Sequence, residues 1–156
     1  MSALVAGNSA LDMHLTVEGS DGAFEQGFTR ENVAFLTQAP QAVLGGNGAA
    51  AAYALGKLGV PVDLNTAVGS DGIGELIAAW LTHAEVHLIS DRVEASAVHV
   101  LRSRAQDGAR SSMFYTGSDL DWSVGTEGFQ SGWFFASGYG GMRDDAFSRL
   151  GEVLKQ

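Results

Sequence analysis

Apolar residues in this chain fall in short blocks parted by glycine-bearing turns, and their spacing changes along its length. Residues 3–6 form an unbroken apolar run closed by Gly7 and Asn8, which predicts a buried central strand whose following loop ends at Asp12. Residues 15–18 and 32–37 alternate loosely and predict two short strands, separated by the polar stretch 19–27, that form a hairpin or flap outside the main sheet. Pro40 interrupts the pattern before a glycine turn. Residues 49–58 are rich in alanine, the best helix former, and stop at Gly59 and Pro61, as a helix C-terminus does. Val62, Leu64, Thr66 and Val68 then alternate as a strand, and Gly69-Ser70-Asp71-Gly72 leads into a second helix. There Ile73, Leu76, Ile77, Trp80 and Leu81 fall at i, i+3, i+4, i+7 and i+8, a full apolar stripe.

After a strand at 86–89 the pattern changes from βα units to a hairpin. Residues 96–104 and 110–116 flank Gln106-Asp107-Gly108, and an Asp-Gly turn between alternating segments is a strong hairpin signal. Residues 119–127 read as polar loop. Trp133, Phe134 and Phe135 lie within 132–137 and predict a buried strand that ends in Ser137-Gly138. Residues 144–155 predict a last amphipathic helix with Phe147, Leu150 and Leu154 on one side. In a βαβ series each helix returns the chain to another parallel strand, so a chain closing on this helix is expected to have an unfinished sheet. An exposed sheet edge then favours a dimer or larger species.

Composition narrows the class. With 21 glycines but only 2 prolines in 156 residues, the glycines mark tight turns in one compact α/β domain and not a linker. The formal charge of -9 comes without a basic cluster, which argues against nucleic acid or an anionic membrane as partner. There is no cysteine and hence no disulfide or thiolate site, and no apolar stretch reaches the roughly 18 residues a membrane span needs. A soluble cytoplasmic protein is expected.

The chemistry concentrates in the glycine turn. Gly45, Gly46 and Gly48 open the first helix, where free N–H groups can face a polar or anionic ligand. Residues 46–51 match the loose form of the dinucleotide fingerprint, but Asp63, the acidic residue nearest the required place, sits at the start of its strand and not at its end. A nicotinamide-dependent oxidoreductase is therefore carried as an alternative. His83 and His87 have the spacing of two metal ligands on a helix, yet the string lacks the adjacent glutamate and straddles a helix end, so no metal site is expected. Ser9 lies outside any nucleophile-elbow pattern, which leaves a hydrolase unsupported. Asp12 reads on its own equally well as a turn aspartate.

Across nearly its whole length the sequence also resembles the N-terminal half of the PfkB (ribokinase/fructokinase-type) carbohydrate kinases. Gly7 followed by Asp12, the pair Gly45-Gly46, then Gly59, Gly69, Asp71 and Gly74 fall in the family's register. Residues 15–37 and 96–116 resemble its two pairs of lid strands, and Phe135-Ala136-Ser137-Gly138 the strand end that closes its sugar pocket. The resemblance implies a ribokinase-like three-layer α/β sandwich, a Rossmann-like sheet incomplete in this chain, with a small β-strand lid.

It also implies ATP-dependent phosphoryl transfer to a sugar hydroxyl, with Asp12, Gly45, Gly46, Asn47 and Gly138 around the sugar and pairing of two copies through the lid. Asn47 replaces a lysine of ribokinases, and Ala10 and Ala50 stand where the family places asparagines that contact the sugar. The family's catalytic base and anion hole, its magnesium-associated motif and most of its ATP pocket lie in its C-terminal half. The expectation is thus a chain with no catalytic residue of its own, inactive alone, which carries the sugar-binding and lid half. The alternative is a non-catalytic kinase remnant that binds a small polyol or assembles through its lid.

Overall fold

The computed structural model describes residues 2–17, 36, 38–89, 92–118 and 132–137. A parallel sheet runs in the order β10-β1-β4-β6, from β1 (Ala3–Ala6), β4 (Val62–Asn65), β6 (Val86–Leu88) and β10 (Trp133–Ala136). Every residue of β1 is buried, as an unbroken apolar run in a central strand requires. Its register sets Val5 beside Leu64, and Leu64 beside Leu88. On that face lie Ala3, Val5, Val62, Leu64 and Val86, packed with Ala49 and Ala52 of α1 (Asn47–Lys57) and Ile77 and Leu81 of α2 (Gly72–His83). The apolar stripe of α2 is narrower than its periodicity predicts, because Leu76 points outward and is exposed.

A second sheet forms the lid, in the order β3-β2-β8-β9. Its centre is a parallel pair, β2 (Ala10–Val17) with β8 (Ala97–Arg104), flanked on the antiparallel side by β3 (Gln41–Gly45) and β9 (Arg110–Tyr115). The predicted Asp-Gly hairpin is present. Asp107 accepts the Ala109 N–H at 2.9 Å, Arg104 reaches Asp107 at 3.1 Å, and Gly108 takes φ 72. A short parallel pair, β5 (Val68–Gly69) with β7 (Arg92–Val93), joins the two sheets.

Four sequence expectations are corrected. Asp12 does not end a loop but is the third residue of β2, because the turn after β1 takes only residues 7–9. The segment before the glycine turn is a strand, β3, which Pro40 precedes without breaking. The alternation over 62–68 is split in two: Ser9 Oγ donates to Ala67 O at 2.7 Å, and β5 turns away to pair with β7. The aromatic strand β10 is not buried, and among the described residues it is the outer strand of its sheet. Its register puts Trp133 and Phe135 level with Ala3 and Val5, yet they are 67% and 46% exposed. Of the predicted strand at 32–37, Leu36 makes an antiparallel bridge to Val17 and residues 32–35 and 37 lie outside the described residues, as do the loop at 119–127, Gly138 and the helix at 144–155.

The junction of the sheets is held by Asp71. Its Oδ1 accepts the Gly74 N–H at 2.7 Å, capping α2, and the Ser96 hydroxyl at 2.8 Å, while Oδ2 accepts the Ser96 N–H at 2.9 Å. Ser96 Oγ in turn accepts the Gly69 N–H at 3.0 Å. The Ser96 N–H, opposed by partial desolvation and reinforced by the Gly74 N–H and the Ser96 hydroxyl, holds the Asp71 carboxyl below the ordinary aspartate range. A depressed folded-state pKa stabilises the fold above the unfolded value and loses that stability as pH falls through the folded one. Asp71→Asn, which swaps one acceptor for a donor, is expected to lower unfolding stability by about 2 kcal/mol at neutral pH. In urea titrations the wild type should weaken below about pH 4, whereas the variant should show a flatter profile. Equal slopes for the two proteins would refute this role.

Candidate functional site

Strand alternation puts every second residue of β2 and β8 on one face of the lid sheet. Asp12 of β2 is flanked on that face by Val43 of β3 and His99 of β8. The Asp12 carboxylate lies directly over Gly45, where any Cβ would overlap it. His99 Nδ1 stands 3.7 Å from Asp12 Oδ1, and both side chains are half-buried. The His99 ring meets Phe114 of β9 edge-on, with centroids 5.8 Å apart and planes at 68°. A carboxylate, an imidazole and an aromatic ring thus share one sheet face beside the start of α1.

The glycine turn is built differently from the open anion cradle that its composition predicts. Gly46 adopts φ 89, and the next two orphan donors of α1 are claimed from across the turn after β1. Asn8 accepts the Asn47 N–H on its side-chain oxygen at 3.0 Å and the Ala49 N–H on its carbonyl at 3.1 Å. Asn8 therefore acts as the cap that Gly46, with no side chain, cannot supply. Gly48 is buried against the Gly7 backbone, and a Cβ there would collide with it. Of the three glycines in the turn, it is Gly45 whose missing Cβ makes room for a functional side chain.

Among the residues expected at the site, the structure brings Asp12 and Gly45 together, with Gly46 and Asn47 following at the entry of α1, where Asn47 is exposed. Gly138 lies outside the described residues, although Ser137 donates its N–H to Ala6 O at 3.0 Å, so β10 and β1 run side by side to their ends. Ala10 faces Gly45, and Ala50 lines a groove of about 400 Å³ with Ala42, Val43, Leu44, Tyr53 and Trp80. His99 is the site residue that sequence reasoning missed. Its one signal is a polar position between Val98 and Val100 in a predicted strand, and without the β2 pairing nothing joins it to Asp12.

Other candidates resolve into structural roles. His83 ends α2 and its carbonyl accepts a hydrogen bond from Lys57 at 3.2 Å, while His87 on β6 pairs with Asp63 at 2.8 Å. Among the described residues no group of three or more His, Cys, Asp or Glu side chains is placed to hold a metal ion. The fingerprint at 46–51 follows β3, an antiparallel lid strand, whereas a dinucleotide turn follows a strand of the parallel sheet. No helix among the described residues is long and apolar enough to cross a membrane.

Removing the Asn8 side chain by Asn8→Ala should destabilise the protein by about 1 kcal/mol, the usual value of a lost cap. Hydrogen exchange should quicken first at Asn47, and unchanged exchange there would show that Asn8 is not the cap.

No protein-family model matches the sequence, and no curated protein does. Solved structures do match. The ribokinase of Giardia lamblia superimposes with a TM-score of 0.61 at 19% identity, over 75% of this chain and 36% of that one. For Arabidopsis thaliana ribokinase complexed with ribose and ATP the values are 0.58, 23%, 74% and 36%. For fructokinase with bound ATP from Xylella fastidiosa they are 0.53, 22%, 73% and 32%. The chain thus has the ribokinase-like α/β fold with an incomplete sheet, and it spans about a third of the length of these structures.

Proposed function

We propose that this chain is the acceptor-binding and lid portion of an ATP-dependent carbohydrate kinase of the PfkB type. The observation that carries the reading is the placement of Asp12. In a ribokinase-like fold it sits on the inner junction of sheet and lid, half-buried over Gly45, where a carboxylate can accept hydrogen bonds from sugar hydroxyls. Gly45, Gly46 and Asn47 line the entry beside it, and Gly138, outside the described residues, is proposed to complete the pocket.

ATP and Mg2+ belong to the proposed reaction, but the described residues do not fit them. They offer no acidic cluster for a metal, and Asn8 takes up two of the N-terminal donors of α1 and Asp71 one of those of α2. The reading accordingly assigns no catalytic residue to these residues. It places the proton acceptor and the charge-stabilising groups of in-line phosphoryl transfer in sequence outside this chain, on one longer polypeptide or on a partner. The chain alone is then inactive as a kinase, working in the cytoplasm.

The lid offers a route to a homodimer. Among the described residues β9 is the outer strand of the lid sheet, and its exposed Met113 and Tyr115 form an apolar row on one face. The same row favours the second reading, a kinase remnant that assembles through its lid and binds a polyol without turning it over.

Calorimetric titration with D-ribose and D-fructose tests the acceptor site. Asp12→Asn should weaken binding of whichever sugar the wild type takes by at least about tenfold, since a hydrogen bond to a charged group contributes roughly 1.5–3 kcal/mol. Undiminished affinity in the variant, or a wild type that takes neither sugar, would overturn the reading. Sedimentation should show a dimer that Met113→Arg with Tyr115→Arg dissociates, and a wild-type monomer at micromolar concentration would remove the lid interface.

A further inference from the structure

Asp12 has a neighbour on the lid whose chemistry complements it, and we infer that His99 is a second ligand contact, acting with Asp12 on hydroxyls of neighbouring carbons. The inference rests on the polyol reading and goes beyond it in naming a specificity-determining residue. The parallel register of β2 and β8 makes Asp12 and His99 lateral neighbours on one face. Their Nδ1 and Oδ1 atoms are nevertheless 3.7 Å apart, longer than a hydrogen bond, and each side chain keeps about a quarter of its surface exposed, at 27% for His99 and 26% for Asp12. Neither group hydrogen-bonds the other, and both side chains are partly exposed on one sheet face.

The two groups are unlike in a useful way. A carboxylate only accepts, whereas a neutral imidazole carries one N–H donor and one acceptor nitrogen. A hydroxyl between them can donate to Asp12 while it accepts from the His99 N–H, and a vicinal hydroxyl can donate to the second Asp12 oxygen. A compound with a single hydroxyl leaves the second carboxylate oxygen without a donor.

Two further features fit. The ring is held edge-on by Phe114, which limits its rotation and presents an aromatic surface to the C–H face of a sugar. Ala10, opposite Gly45 on the same face, contributes no polar side-chain atom, so His99 supplies from the lid what the base of the site lacks. The contact comes from β8, so ligand binding and lid position are coupled through it.

The test uses the chain with D-ribose and D-fructose as probes in calorimetry, and ring nitrogen NMR of His99. His99→Phe keeps a ring against Phe114 but removes both nitrogens, and His99→Gln restores a donor and an acceptor. The expected result is a Kd raised about tenfold in His99→Phe and largely recovered in His99→Gln. Melting temperatures should stay close to wild type, and the wild-type His99 ring signals should shift during titration. Should either variant fail to fold, the ring signals of the wild type decide alone. If His99→Phe binds as tightly as wild type, or the ring signals stay still while a sugar binds, the inference fails and the Asp12 reading stands. If neither sugar binds the wild type, both fall together.

Discussion

One partly buried carboxylate organises the junction on which the two sheets depend. Asp71 gathers the N-terminus of α2, the turn after β5 and the start of β8 into a single set of hydrogen bonds. Its geometry dictates the small residues around it. Gly74 lies so close to the Gly69 carbonyl that a Cβ there would clash, and so the Gly69-x-Asp71-x-x-Gly74 spacing is the outcome of packing a helix start onto a strand end. Charge-assisted bonds of this kind are shorter and stronger than neutral ones, which suits a crossing that has little apolar area to hold it.

The junction controls the lid. The chain leaves the parallel sheet for the lid sheet at residues 7–9 and again at 94–96, and each crossing carries a buried serine tied to the 67–71 segment. Ser9 reaches Ala67 O, and Ser96 reaches Gly69 and Asp71. Directly after these serines the strands pair, Ala10 with Ala97, and two residues further Asp12 with His99. The candidate site therefore lies within one strand turn of its anchor points, and its register is inherited from them.

The glycine turn shows how the same residues can serve packing and ligand space at once. Gly46 and Gly48 let the turn after β1 lie against the first turn of α1, where Asn8 takes up two helix donors. That contact takes up two of the helix donors that a bare glycine-rich motif suggests are free. Gly45 leaves room for the Asp12 carboxylate, and what a ligand can meet is that carboxylate with the imidazole of His99 beside it. A polar, uncharged, hydroxyl-rich molecule suits that pair better than an anion.

The alternation of apolar residues determined by itself the α/β class, the two helices among the described residues, the strands β1, β4, β6 and β8, and the Asp-Gly hairpin, because these rest on local periodicity and turn chemistry. It also marked Asp71 as the entry of a helix, although not the partner that lowers its pKa. Only the tertiary structure decided what depends on pairing between distant segments. The strand β3 is visible once β2 lies beside it, and the 62–68 run divides because β5 finds β7. Trp133 and Phe135, apolar enough to predict burial, are exposed on a strand that is the outer one of its sheet among the described residues. Asp12 and His99 are 87 positions apart in sequence, and no local pattern links them. They meet because two crossing points, Ser9 and Ser96, are pinned to one short strand, which sets the register of everything beyond.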